Sequence, residues 1–200
     1  RRCAAAWASR PAPALASPHE RRLELVPLGT YASGIFAEGG AEIVTYDPGT
    51  RRAFVVNALD VSVDVLDLGD PARPVRIHTI DVGPLGGSAN SVDVARGILA
   101  VAVEAKVKTD PGLVAFYSTR DYRLLGTATV GALPDMVTFT PDGRRVLVAN
   151  EGEPSAYEEV DGVAPVDPEG SVSIIDIGHG CARPRVRTAD FRRFNRRREA

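Results

Sequence analysis

A chain of 200 residues that is 44% hydrophobic has the apolar content of an ordinary globular core, and no apolar run approaches the ~20 residues a membrane-spanning helix needs. The formal net charge of −2 conceals an asymmetry: 13 of the 24 basic residues precede Leu23 or follow Ala182, leaving 23 acids against 11 bases in between. A body of that net charge repels nucleic-acid phosphates and draws cations, so no nucleic-acid partner is expected. The two cysteines, Cys3 and Cys181, stand at opposite ends and form neither a disulfide framework nor a metal spacing, and the three histidines are solitary.

Residues 1–22 read as a leader. A basic pair, an Ala-rich stretch and an A-x-A-like Ala14-Leu15-Ala16 fit the tail of an export signal, and the Ala/Pro composition fits a disordered segment. The next run, Leu23 to Tyr31 (LELVPLGTY), has the look of an outer strand that lacks the three strands it should follow.

From Glu42 onward the chain repeats itself. Glu42 to Asn57 (EIVTYDPGTRRAFVVN) matches Asp135 to Asn150 (DMVTFTPDGRRVLVAN), and Asn90 to Glu104 (NSVDVARGILAVAVE) is a shorter copy. Each copy continues into a third strand-like run: Val61 to Leu68, Leu113 to Ser118 and Ser171 to Ile177. The first two copies add a fourth, Arg76 to Val82 and Tyr122 to Val130. The runs are rich in Val, Ile, Phe and Tyr, and turn residues such as Pro-Gly, Asp-Gly and Arg-Gly separate them. Four short antiparallel strands every ~45 residues predict an all-β chain, a β-propeller with blades of the YVTN/WD40 kind. The blades fall at about 40–85, 86–131 and 132–182 within a partial propeller over 23–182. About two and a half to three blades are present, so the remaining blades of a longer chain are expected. Residues 183–200 read as an Arg-rich tail holding a truncated fourth strand.

The carboxylates follow the same plan. In a propeller blade the first strand lines the channel and the second returns beside it, so the start of one meets the end of the other on a single rim. Those positions hold Glu42 with Asn57, Asn90 with Glu104, and Asp135 with Glu151. Between the second and third strands of the last blade a long loop brings seven carboxylates to that rim, among them Glu151, Glu153, Asp167 and Glu169. Packed carboxylates repel one another and hard oxygen ligands suit Ca2+, so these nine residues form the candidate metal set and Ca2+ the candidate ion. The reading without chemistry is a solvated acidic loop that maintains solubility. No DxDxDG loop, HExxH or GxSxG occurs, and no catalytic or cofactor-binding residue is assigned.

The segments VPLGTYASGIFAEGGAEIVTYDP, GGSANSVDVARGILAVAVEA, VGALPDMVTFTPDGRRVLVANEGEP and VDPEGSVSIIDI resemble the choice-of-anchor I family, bacterial surface or secreted propellers similar to mesenchyme-specific cell-surface glycoproteins. The resemblance runs from about Leu23 to Asn195. It implies an extracellular or cell-envelope location and attachment by a separate C-terminal anchor. The repeated oxygen pairs and the acidic loop lead to the expected function, a binding or scaffold module with a protein, glycan or mineral ligand at the acidic rim. Some relatives carry an alkaline-phosphatase-like label, so the alternative it implies is a metal-dependent, alkaline-phosphatase-like or phytase-like phosphoesterase.

Overall fold

Alternation of apolar side chains with period two writes itself directly into the strands. A computed structural model describes residues 23–36 and 38–195. The leader 1–22 and residues 196–200 of the tail lie outside the described residues. Twelve strands form three four-stranded antiparallel sheets in sequence order. The first blade comprises β1 (Val44–Asp47), β2 (Arg52–Asn57), β3 (Ser62–Asp67) and β4 (Val75–Asp81). The second comprises β5 (Ser88–Ala95), β6 (Ile98–Glu104), β7 (Pro111–Ser118) and β8 (Leu124–Ala132). The third comprises β9 (Pro134–Phe139), β10 (Arg145–Asn150), β11 (Ser171–Asp176) and β12 (Arg185–Asp190). The innermost strands stand side by side, β1 next to β5 and β5 next to β9, which is the arrangement of propeller blades around an axis.

The middle blade explains the packing. Along β6, Leu99, Val101 and Val103 face the first blade, while Ala100 and Ala102 face the third. In β7 Ala115 and Tyr117 turn one way, and Val114 and Phe116 the other. A strand buried on both faces has no polar side, which is why ILAVAV is a continuous apolar run. The outer blades turn their main apolar face inward: Phe54 and Val56 of β2, and Val146 and Val148 of β10, point toward the middle blade, and the first blade also buries Ala53, Asp64 and Leu66 on its other face. Their far faces leave Val44 62% and Met136 50% exposed.

Side chains bridge the inner strands where no ladder does. Asp93 in β5 accepts the backbone N–H of Phe139 at 2.7 Å and the Thr138 hydroxyl at 3.2 Å, both from β9, and the Thr45 hydroxyl of β1 at 3.4 Å. Two residues earlier the Ser91 hydroxyl accepts the buried N–H of Val137 at 3.2 Å. Thr45, Asp93 and Thr138 occupy the same place in the three copies of the repeat, so one carboxylate ties all three blades at the channel. The ties satisfy N–H groups on a strand edge that has no neighbour to pair with.

Two segments differ from the sequence reading. The Arg-rich tail does not truncate its strand: β12 pairs with β11 over six residues, from Ser171↔Asp190 to Asp176↔Arg185. Every residue of β12 is exposed, so no apolar alternation marks it in the sequence and backbone pairing alone defines it. The segment Leu23 to Tyr31 forms no strand, and Leu23 and Leu25 are almost fully exposed. A strand exists through a partner edge, and this segment meets none among the described residues. It does touch the β3–β4 turn at Gly29, where a Cβ would lie 2.5 Å from the Pro71 carbonyl oxygen.

Candidate functional site

The end of β10 runs into the acidic loop through Asn150, which is buried. Its Nδ2 donates to the Ser173 and Ser171 hydroxyls at 2.9 and 3.1 Å, while its Oδ1 finds no partner among the described residues. Asn57, at the matching place in the first blade, is also buried and binds its own turn, donating to the Asp60 carboxylate at 3.0 Å and accepting the Asp60 N–H at 3.2 Å. Replacing Asn150 with Ala removes the bridge to β11 and should cost about 1–3 kcal/mol, measurable by urea unfolding.

Past Asn150 the loop is built rather than slack. Gly152 is buried with φ +65°, and a Cβ there would lie 2.5 Å from the Pro168 carbonyl oxygen and 2.6 Å from the Gly170 nitrogen, so only Gly lets the two arms of the loop touch. Higher up, Ser155 N–H donates to the Val166 carbonyl at 2.8 Å and Val166 N–H to the Ser155 hydroxyl at 2.9 Å. The tip is a two-residue hairpin: Val160 and Val163 exchange backbone hydrogen bonds across Asp161 (φ 52°) and Gly162 (φ 78°). This raises Tyr157, Val160, Val163 and Val166 into solvent, 58–81% exposed, among Glu158, Glu159, Asp161 and Asp167.

The loop's carboxylates divide into two groups. Glu153 forms an ion pair with Lys108 of the β6–β7 loop and accepts the Tyr157 hydroxyl at 3.0 Å. Glu169 takes the Arg192 Nε at 2.7 and 2.9 Å. Lys108 and Arg192 thus neutralise one carboxylate near each arm. Glu151, Glu158, Glu159, Asp161 and Asp167 are exposed, and no ion pair holds them among the described residues.

Of the other candidate ligands, Asn90 and Glu104 come together, with Nδ2 donating to Oε2 at 3.3 Å and also to the Pro134 carbonyl at 3.2 Å. Glu104 adds to the field on Lys108, and Glu151 to that on Tyr157, so the second and third blades share one patch holding Glu104, Lys108, Glu153, Tyr157 and Glu151. Glu42 stands at the first blade with its backbone N–H donating to the Val56 carbonyl at 3.1 Å and its side chain exposed. Asp135 is exposed at the start of β9, whose neighbour Pro134 pairs with Asn150. Among the described residues no three His, Cys, Asp or Glu side chains converge as a ready metal cage.

Four carboxyls are held below their ordinary range, Asp47, Asp121, Asp142 and Glu153, and each contributes to the pH response. The Lys108 ammonium and then the Tyr157 hydroxyl hold the Glu153 carboxyl below its ordinary range. On the opposite face burial pushes Asp47 up, but the Thr50 hydroxyl, the Gly49 N–H and the nearby Arg52 charge outweigh it and hold that carboxyl low as well. A carboxyl with a lower pKa when folded binds protons more readily when unfolded. The stability it lends is therefore complete at neutral pH and is lost as pH falls from the ordinary carboxylate range, about 4, through the folded value. Melting temperature against pH should drop below about pH 4, and Asp47→Asn should flatten that drop.

Sequence reasoning did not identify Asp93, Ser91 or Arg192 as structural partners of this region. The repeat carries a signal for the first, since Asp occupies a place where the other copies have Thr. Arg192 has none, because its meeting with Glu169 depends on β12 running its full length.

Three four-stranded antiparallel blades about a common axis, with an acidic loop raised from one rim, define the class: a β-propeller. The chain belongs to the choice-of-anchor I domain family, whose model matches residues 42–200. No curated protein matches it. Among solved structures it is similar to a putative 6-phosphogluconolactonase from Bacteroides fragilis (14% identity, TM-score 0.57, covering 78% of this chain and 40% of that one). A putative 6-phosphogluconolactonase from Bacteroides uniformis is comparable (15%, 0.55, 78% and 42%). So is Kuenenia stuttgartiensis hydrazine synthase (20%, 0.51, 74% and 37%). The chain spans about two fifths of the length of these structures, and at such identities the likeness establishes the fold alone. Among the described residues no helix is long and apolar enough to cross a membrane.

Proposed function

We propose that the chain is a non-enzymatic binding module displayed outside the cell, and that its working surface is the acidic rim shared by the second and third blades. The observation that carries this is the 151–170 loop. Its stem and hairpin are held by its own hydrogen bonds, yet it lifts exposed carboxylates and apolar side chains together into solvent. A loop kept only for solubility needs neither the hairpin nor the exposed valines. The family supports a surface location, since its members are anchored domains by name.

Ca2+ is the cation this surface would recruit. Glu151, Asp167 and the pair-bound Glu153, Glu169 and Glu104 supply oxygens of the right hardness, and Lys108 is an internal competitor for them. Calorimetric titration with CaCl2 tests the reading, together with thermal unfolding at millimolar Ca2+ against EDTA. Binding at 100 times Kd should add about 2.7 kcal/mol to stability. Heat and stabilisation both absent would remove the cation from the proposal. Lys108→Ala should tighten Ca2+ binding by about two- to fivefold, because it releases Glu153 from its partner.

The phosphoesterase alternative rests on the family label and finds less in the geometry. Of the two lysines that follow Glu104, Lys108 is engaged by Glu153, which leaves the exposed Lys106 as the one free to hold a phosphate among the described residues there.

A further inference from the structure

The face opposite the acidic rim is basic, and we infer that it binds an anionic polysaccharide, a polymer whose carboxylate or sulfate groups recur along the chain. The short turns of all three blades emerge there. Arg51 stands on the β1–β2 turn, Arg96 on β5–β6, Arg120 on β7–β8 and Arg144 on β9–β10, all exposed. Arg51, Arg120 and Arg144 form no salt bridge among the described residues, and Arg96 donates only to the Asp142 carbonyl, at 3.1 Å. Two exposed carboxylates share these turns and leave the arginines in excess: Asp121 is paired with Arg123, and Asp142, beside Arg144, accepts the Thr140 hydroxyl and the Arg144 N–H of its own turn. Clefts run between these turns. One of about 600 Å³ between the first and second blades is lined by Thr50, Arg96, Thr119 and Arg120. One of about 290 Å³ between the second and third is lined by Arg96, Gly143 and Arg144. Asp47, the carboxylate that lines the larger cleft, is buried and already accepts the Gly49 N–H and the Thr50 hydroxyl, at 3.1 and 2.9 Å.

The backbone gives an independent reason to attach weight to these arginines. Arg51 and Arg96 sit at φ 55° and 54°, the left-handed region that Gly or Asn adopts with less strain. Arg96 opens a two-residue hairpin with Gly97 (φ 79°), a place suited to Asn-Gly. Guanidinium groups are thus presented at a conformational cost, at the same turn of successive blades. Groups that repeat along a surface suit a ligand whose charges repeat, through several weak contacts acting together.

The alternatives fit less well. Nucleic acid would seek free aromatic rings for its bases, but Tyr122 on this face is stacked on His78 at 4.4 Å and lies 5.2 Å from the Arg52 guanidinium. A lipid surface would favour exposed apolar side chains, and among the described residues none of the large ones lies on these four turns.

The test uses the whole chain and two probes of the shared chemistry, polygalacturonate for carboxylates and heparin for sulfates. Dextran, single-stranded DNA and phosphatidylglycerol vesicles serve as controls. Binding should exceed that to dextran for at least one polyanion and weaken with salt. The triple variant Arg51→Gly, Arg96→Asn, Arg144→Ala should bind about tenfold more weakly. Its melting temperature should hold or rise as strain is relieved, which separates lost binding from lost folding. Glu151→Gln should leave polyanion binding unchanged, so this inference and the proposed rim function fail separately. No preference over dextran, undiminished binding by the triple variant, or tighter Arg-dependent binding of DNA or vesicles would each overturn the inference.

Discussion

Replacing Gly152 with Ala should open the stem of the 151–170 loop and cost roughly 3 kcal/mol. The added Cβ meets the Pro168 carbonyl oxygen at 2.5 Å and the Gly170 nitrogen at 2.6 Å, both backbone atoms that cannot rotate aside. The left-handed backbone at φ +65° adds about 1–2 kcal/mol for any L side chain. Since Gly152 N–H also donates to the Ala132 carbonyl at 3.2 Å, relief by moving this arm breaks the tie between the loop and the end of β8. Urea unfolding followed by circular dichroism measures the loss. Gly162→Ala is the control: it has a similar φ of 78° but nothing within 4 Å of its Cβ, so it should cost only the conformational part, about 1–2 kcal/mol.

Asp93→Ala should be as damaging for a different reason. It strands the N–H of Phe139 on the unpaired edge of β9 and frees Thr45 and Thr138, so blades held at the channel lose their common tie. Hydrogen bonds to a charged group contribute about 1.5–3 kcal/mol each when their loss leaves a partner unsatisfied, and the expected total is near 3 kcal/mol. Asp93→Asn retains an acceptor and should recover part of it. Asp135→Ala, at an exposed carboxylate with no partner among the described residues, should change stability by less than about 0.5 kcal/mol. An Asp93→Ala chain as stable as the Asp135→Ala chain would remove the tie from this description.

The blades were legible because repetition is independent of strand propensity. EIVTYDPGTRRAFVVN and DMVTFTPDGRRVLVAN announce the same hairpin whatever each would do alone, and β1–β2 and β9–β10 are those hairpins. What stayed hidden is what depends on a partner. β12 is Arg-rich and exposed, so its strand character comes wholly from β11. Leu23 to Tyr31 has strand-like residues but meets no edge among the described residues, and stays irregular. The acidic character of the rim was plain in the sequence, and so was the proximity of Asn90 to Glu104 across their hairpin. The neutralisation of Glu153 by Lys108 and of Glu169 by Arg192 was not, because each joins residues from different hairpins. Nor does composition distinguish a slack acidic loop from one closed by Gly152 and a Val160–Val163 hairpin. That distinction rests on one buried glycine and one Asp-Gly pair.

The most direct test of the acidic rim as the working surface is amide hydrogen exchange of the whole chain, with saturating Ca2+ against EDTA. The account predicts that protection rises within 151–170 and in the neighbouring 104–110 segment, and that strands of the first blade stay unchanged. Ca2+ binding that leaves these segments as they were and protects another part of the chain would contradict it.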